Sequence, residues 1–131
     1  NAVEDLAERA LASGLDVWVR TVDLKGWRPE RTWDAVNCIG LLMFFARADA
    51  LAGLVAVRDA VRPGGVAVVN VLVEGTTFTA MFDPDEHYLF RPEEVAAPFA
   101  GWEMLHDSVE EFAAPGGKVK RFRTLVARRP G

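Results

Sequence analysis

Residues 62–73 read RPGGVAVVNVLV, and this stretch decides the fold of the chain. The Pro63-Gly64-Gly65 turn cannot continue a helix, and the apolar run after it is too short and too rich in valine to be one. Residues 33–45 form a second, largely apolar stretch upstream. A helix that ends before this turn, the turn itself and the buried strand after it predict, in this order, half of a parallel α/β sheet.

Local patterns on either side predict the remaining elements. Asn1 with Glu4 three positions later resembles a capping box, and Gly14 suits the residue that ends the helix. The predicted elements of the first half are a helix over residues 2–13, a strand over 16–22, a strand over 33–38, a helix over 49–61 and a strand over 66–73. Together they predict a doubly wound sheet with helices on both faces.

The pattern changes after Glu74. Residues 75–91 are too many for a plain connection and too apolar for a disordered linker. Pro92 favours the start of a short helix. Residues 102–112 and 118–128 predict an antiparallel hairpin that turns at 114–117, so residues 1–131 form one domain.

Composition excludes several functional classes. A net charge of -4 argues against binding to nucleic acid through spread positive charge. Cys38 is the only cysteine, so no disulfide framework exists and a cytoplasmic location is expected. The longest apolar stretch, residues 38–46, is too short to cross a membrane. We also expect the protein to bind no metal ion.

Six short motifs follow one another over nearly the whole chain: Thr21-Val22-Asp23-Leu24, Trp33-Asp34-Ala35-Val36, Leu42-Met43-Phe44-Phe45, Arg62-Pro63-Gly64-Gly65, Gly101-Trp102-Glu103, and Arg121-Phe122 with Ala127-Arg128. In this order they resemble the S-adenosylmethionine (SAM)-dependent methyltransferases of the tellurite-resistance, TehB-like type. The resemblance implies a Rossmann-like class I methyltransferase sheet, of which this chain would be about the carboxyl-terminal two-thirds, ending in an antiparallel hairpin.

The resemblance also implies a set of cofactor-binding residues. Asp23 would accept a hydrogen bond from the adenine amino group, and Leu24 would pack on the adenine ring. A turn-capping role is the alternative for Asp23. Cys38, Ile39 and Gly40 would line the reactive centre of the cofactor at the end of the next strand, with Cys38 as a buried, inert thiol.

Residues 75–91 occupy the position of the substrate lid in the family, and the acceptor would be a small molecule. We expect Phe44 to belong to the pocket wall, and Tyr88 and Arg91 to orient the acceptor. No catalytic residue is assigned, and the candidates are His87 and Arg121. Opposite charges across the hairpin explain Arg121 without a function. The acceptor would be a tellurite- or selenite-type oxyanion, or a small organic thiol or hydroxyl compound.

Two departures from the family affect the expected activity. The His-Arg pair of the family's hairpin has no counterpart here, where residues 111–115 read EFAAP. The Gly-rich loop and the ribose-binding carboxylate are also missing, so methyl transfer would need residues upstream of Asn1 and this chain alone would bind SAM weakly or not at all. The alternative function is a truncated, non-catalytic α/β module that binds a ligand or a protein. A dehydrogenase-like dinucleotide binder fits the terminal hairpin less well.

The missing part of the sheet also predicts a partner. Without the first two strands of a class I sheet, the strands over residues 16–22 and 33–38 would each lose a neighbour. Unpaired apolar edges associate readily. We therefore expect the chain to form a homodimer through its exposed strand edges or to aggregate.

Overall fold

The computed structural model describes residues 1–131 and contains one mixed sheet of four strands. The spatial order is β1-β2-β4-β3, in which β1 and β2 are parallel and β4 is antiparallel to both β2 and β3. The regular elements are α1 (Ala2–Ala12), β1 (Trp33–Ile39), α2 (Arg47–Asp59), β2 (Val61–Leu72), α3 (Pro92–Ala96), β3 (Glu103–Ala114) and β4 (Lys118–Arg128). The predicted order of helix, buried strand and terminal hairpin is confirmed.

The Pro-Gly-Gly sequence lies within β2, where it interrupts the pairing of that strand. Trp33 pairs with Val61, whereas Ala35 pairs with Val66, so the β2 side carries the extra residues. Gly64 has a φ of 78°, which favours glycine. The predicted turn is therefore a bulge in a strand that begins at Val61, five residues earlier than expected.

The helices of this chain cover only one face of the sheet. Alternate residues of β2, including Val69 and Val71, are fully buried, and they join Leu125 of β4 in the main core beneath α2 and α3. The residues between them, such as Val66 and Val68, remain partly exposed. The prediction of helices on both faces is wrong for this chain, because the second face carries no α-helix, and only Met43, Phe82 and Leu89 pack there, on Leu72 and Phe122.

The first 32 residues stand largely apart from the sheet. Helix α1 has the predicted capping box, in which the Glu4 amide donates to Oδ1 of Asn1 at 2.9 Å. Only Ala10 of this helix is buried. The predicted strand over residues 16–22 is wrong, since these residues have no regular structure. A strand needs a hydrogen-bonded neighbour, and no strand of this chain lies beside them.

None of the three α-helices has both the length and the apolar character that a membrane crossing requires.

Gly65 is sterically required by the bulge in β2. A Cβ atom there would lie 2.8 Å from the carbonyl oxygen of Asp34 and 3.0 Å from that of Arg62. Because both neighbours are backbone atoms, we expect Gly65→Ala to lower the free energy of unfolding by about 1–3 kcal/mol. Chemical denaturation measures this loss. Gly131→Ala is the control, since its Cβ would meet nothing, and equal stability of the two variants would contradict the expectation.

The free edge of β1 predicts self-association, since this strand pairs only with β2. Ile39 near its end is 63% exposed. We expect light scattering to give about twice the mass of one chain, and Ile39→Lys to restore the monomer because a lysine on an edge strand opposes pairing. Val17→Lys, in the irregular segment, should leave the dimer intact. A monomer at every concentration would contradict this prediction.

Candidate functional site

An apolar pocket opens beside the carboxyl end of β1. Its empty volume is about 360 Å³, part of it open to solvent, and seven of its nine lining residues are hydrophobic. The lining residues come from the loop before β1, from β1 itself, from the turn after it and from α2: Leu24, Trp27, Cys38, Leu41, Leu42, Phe45, Asp49, Gly53 and Val57. The pocket therefore suits an apolar group better than a charged one.

Cys38 forms the floor of this pocket at the end of β1. Its side chain is on the covered face of the sheet, where it belongs to the main core. Burial raises the pKa of the Cys38 thiol to about 11, because the thiolate loses its hydration. The residue is thus a neutral, inert wall of the pocket at physiological pH, as a buried thiol without a base or a helix start beside it should be.

The structure brings together two of the five predicted cofactor residues, Leu24 and Cys38. Asp23 is exposed, and its Oδ1 accepts a hydrogen bond of 3.0 Å from the Lys25 amide, which is the turn-capping contact. Ile39 points to the opposite face of the sheet from Cys38 and is largely exposed. Gly40, with a φ of 64°, turns the chain away from β1.

The loop that carries Leu24 is tied to the long segment between β2 and α3. The Lys25 ammonium lies 2.9 Å from Oε1 of Glu86, and this pairing raises the pKa of Lys25. Both side chains are substantially exposed, so the ion pair adds little stability. The Lys25–Glu86 contact shows that residues 83–88 lie close to the loop before β1, which supplies Leu24 and Trp27 to the pocket.

The long segment over residues 75–91 is held at several points. Val73 forms a bridge with Phe90, and the Thr76 hydroxyl donates to the Arg121 carbonyl at 3.2 Å. The Tyr88 amide donates to the Met43 carbonyl at 2.9 Å, which joins the segment to the turn after β1. The predicted lid is therefore an ordered wall at the carboxyl end of β1 and β2.

The carboxylate of Glu94 fixes this wall on α3. It accepts from the Tyr88 hydroxyl and, at 2.9 Å, from the Arg91 amide, while Arg47 of α2 lies 3.5 Å away. Burial raises the pKa of the Tyr88 hydroxyl, and the bond to Glu94 adds to this effect. For Glu94, burial acts in the opposite sense to its hydrogen bonds, and the bonds keep its pKa below the usual range. The Tyr88 hydroxyl, which the sequence analysis expected to orient the acceptor, thus already donates its hydrogen bond to Glu94.

The two predicted arginines lie beside carboxylates. Arg91 is 3.7 Å from Glu74, and Arg121 is 3.9 Å from Glu111, directly across the hairpin. Arg121 also packs against Gly75, where a Cβ would approach its side chain to 3.0 Å. The cross-strand charge pairing expected for Arg121 is therefore present in the structure.

Phe44 and His87 both contact Phe82, a residue that the sequence did not single out. The ring centroids of Phe44 and Phe82 are 5.2 Å apart, and the His87 ring stacks on Phe82 at 5.2 Å and 14°. Spacing along the chain gave no signal for this aromatic row of Phe44, Phe82 and His87, since Phe44 is far from the other two in sequence.

The capping role of Glu94 did have a signal in the sequence. Glu94 is a carboxylate at the third position of a helix that starts with Pro92.

The fold is a Rossmann-like α/β arrangement of the class I methyltransferase type. The structure is similar to TehB from Haemophilus influenzae, with a TM-score of 0.80 and 16% identity over 98% of this chain and 46% of that chain. It is also similar to the SAM-dependent methyltransferase SibL in its apo form, with a TM-score of 0.63 and 21% identity over 99% of this chain and 41% of that chain. The fold predicted from the sequence is confirmed.

A third similar structure is the DhpI-SAH complex, with a TM-score of 0.58 and 27% identity over 95% of this chain and 61% of that chain. This chain therefore spans about half of each of these three proteins. No protein-family model and no characterised protein sequence matches it. The likeness thus lies in the three-dimensional arrangement, whose solved neighbours include SAM-dependent methyltransferases.

The buried thiol of Cys38 gives a direct measure of pocket closure. With its pKa raised to about 11, the thiolate is scarce at pH 8. We expect iodoacetamide to alkylate the folded chain on the order of 100-fold more slowly than the urea-unfolded chain, in which the pKa returns to about 8.5. Mass spectrometry follows the reaction at this single cysteine. Equal rates would mean that the pocket floor is open.

Proposed function

We propose that this chain is the carboxyl-terminal part of a TehB-like methyltransferase that transfers a methyl group from SAM to a small molecule. The observation that carries the proposal is the similarity to TehB over 98% of the chain, with a TM-score of 0.80 against 0.63 and 0.58 for the two other structures described. A cytoplasmic location, inferred from the single cysteine, is part of the proposal.

The pocket fits one part of such a cofactor. A flat, apolar adenine ring suits a cavity lined by Leu24, Trp27 and Leu41 and floored by Cys38. Asp23 precedes Leu24, and its Oδ2 makes no hydrogen bond within the chain, so it can accept from the adenine amino group while Oδ1 keeps the bond to the Lys25 amide. The two interpretations of Asp23 are thus compatible.

Other parts of the cofactor need different groups. A carboxylate is bound by free backbone amides or cations, and a ribose by an acidic side chain. The pocket offers only Asp49 as a charged lining residue. We therefore propose that residues outside this chain bind the methionine and ribose parts. When bound, the cofactor supplies the electrophilic methyl group, and the residues of this chain position the ring, exclude water and orient the acceptor.

Calorimetry with SAM tests this proposal on the chain extended upstream through its own reading frame. We expect the extended protein to bind SAM, and Asp23→Ala to weaken binding about tenfold or more, since a hydrogen bond to a charged group contributes about 1.5–3 kcal/mol. Asp16→Ala removes another exposed carboxylate of the same irregular segment and should leave the affinity unchanged. Residues 1–131 alone should bind weakly or not at all.

The opposite outcomes have clear meanings. An extended protein that folds but does not bind SAM would contradict the proposal and favour a non-catalytic α/β binding module. Normal affinity in Asp23→Ala would leave methyl transfer standing and remove Asp23 from the cofactor site.

A further inference from the structure

A single four-residue turn, residues 24–27, supplies two walls of the apolar pocket. The Trp27 amide donates to the Leu24 carbonyl at 3.2 Å, and Gly26 has a φ of 71°, the positive value that such a turn needs at its third residue. Both ends of the turn, Leu24 and Trp27, line the pocket together with Cys38. Since a hydrogen bond joins its two ends, this turn, named here the flap, places both side chains as one unit.

The flap belongs to a segment with few attachments. Residues 16–32 contain no helix or strand. The ion pair of Lys25 and Glu86, with 2.9 Å between Nζ and Oε1, is the only hydrogen bond or ion pair between this segment and the rest of the chain. Leu24 is 37% exposed, so apolar contacts hold the flap only in part. One polar contact, made by the second residue of the flap, therefore keeps it in place.

The other member of the ion pair is firmly held. The Glu86 amide donates to the Asp83 carbonyl at 3.1 Å. Two residues later the Tyr88 amide donates to the Met43 carbonyl at 2.9 Å, which fixes this wall to the turn after β1. Glu86 is thus part of an ordered wall, whereas Lys25 can leave it together with the flap.

Three carboxylates act on the Lys25 ammonium. Glu86 makes the direct contact and raises the pKa of Lys25 most, and Asp49 and Asp23 add to this effect. No other cation of the chain forms an ion pair with any of the three. Asp23 moves with the flap, while Glu86 and Asp49 belong to the wall and to α2. Without the Lys25 charge, repulsion among these carboxylates would push the flap outward.

We propose, on the basis of the proposed cofactor site, that the Lys25–Glu86 ion pair is the latch that keeps the flap closed over the Cys38 pocket. Lys25 and Glu86 are positioning residues, because they act on a bound ring through Leu24 and Trp27. An exposed ion pair contributes little to the stability of the whole fold, but it shifts the population of a local opening about two- to fivefold.

Alkylation of Cys38 by iodoacetamide in residues 1–131 measures the opening of the flap without any cofactor. Lys25→Gln should raise the rate about two- to fivefold at low ionic strength. Glu86→Gln should raise it less, because Lys25 then keeps its other two carboxylate neighbours. Loss of a cation near a thiol would by itself slow alkylation, so a faster reaction reports access. An unchanged rate in Lys25→Gln would overturn the proposal.

Matched variants separate the latch from general effects of charge and stability. Lys25→Arg keeps the cation and should keep the unmodified rate. Lys118→Gln removes an exposed lysine of the hairpin that has no ion pair, and Glu74→Gln breaks the exposed pair with Arg91. Both should leave the rate unchanged. All variants should keep the urea midpoint of the unmodified chain, and a faster rate that follows a lower midpoint would overturn the latch in favour of global unfolding.

The double variant Lys25→Gln/Glu86→Gln tests the sign of the interaction. Loss of the Glu86 charge speeds alkylation when Lys25 is present, but should slow it in Lys25→Gln, since one of the repelling carboxylates is removed. Sodium chloride at 1 M, where the Debye length is about 3 Å, should likewise speed the reaction of the unmodified chain and slow that of Lys25→Gln. Effects of the same sign in both backgrounds would contradict the latch.

Calorimetry on the extended, SAM-binding protein connects the latch to the ligand. Lys25→Gln should weaken SAM binding about two- to fivefold, and Lys118→Gln should not change it. Equal affinities of the Lys25→Gln variant and the unmodified protein would overturn the role of the latch in ligand binding. Failure of the unmodified extended protein to bind SAM would contradict the proposed function instead, and the alkylation rates would still decide whether the latch exists.

Discussion

Strand β2 joins the parallel and antiparallel halves of the sheet, and the rest of the structure depends on its pairing along both edges. Its register with β1 places Cys38 beside Val69, and its register with β4 places Leu125 opposite the same valine. These three side chains share the covered face and are all buried. The pocket floor and the core beneath α2 and α3 are therefore set by one strand and its two neighbours.

The sequence predicted the elements whose signals are local. The capping box at Asn1, the proline at the start of α3 and the glycines in the hairpin turn each act within a few residues, and each element formed where expected. The strand over residues 16–22 failed because apolar alternation marks a surface that suits pairing but does not provide a partner. The prediction that helices cover both faces of the sheet was wrong for the same reason, because an apolar surface does not by itself provide the element that packs on it.

The functional surfaces show a similar division. The neighbourhood of Leu24 and Cys38 followed from the position of both residues at strand ends in the proposed family pattern. The pocket also needs Trp27 and Phe45, and the aromatic row needs Phe82. These residues come together only when the chain folds back, so composition and spacing carried no information about them.

The segment over residues 75–91 is anchored to the sheet near both of its ends. Its ends are fixed by Val73 and Phe90 in a bridge and by Thr76 on β4, contacts made largely by the backbone. Phe82 and His87 lie between these anchors. Exchanges at the exposed positions there would alter the surface while the sheet keeps its stability, whereas Phe82 packs on Met43 and Leu72 and belongs to the fold. The exposed side chains of this segment can thus change from one sequence to another without passing through unfolded intermediates.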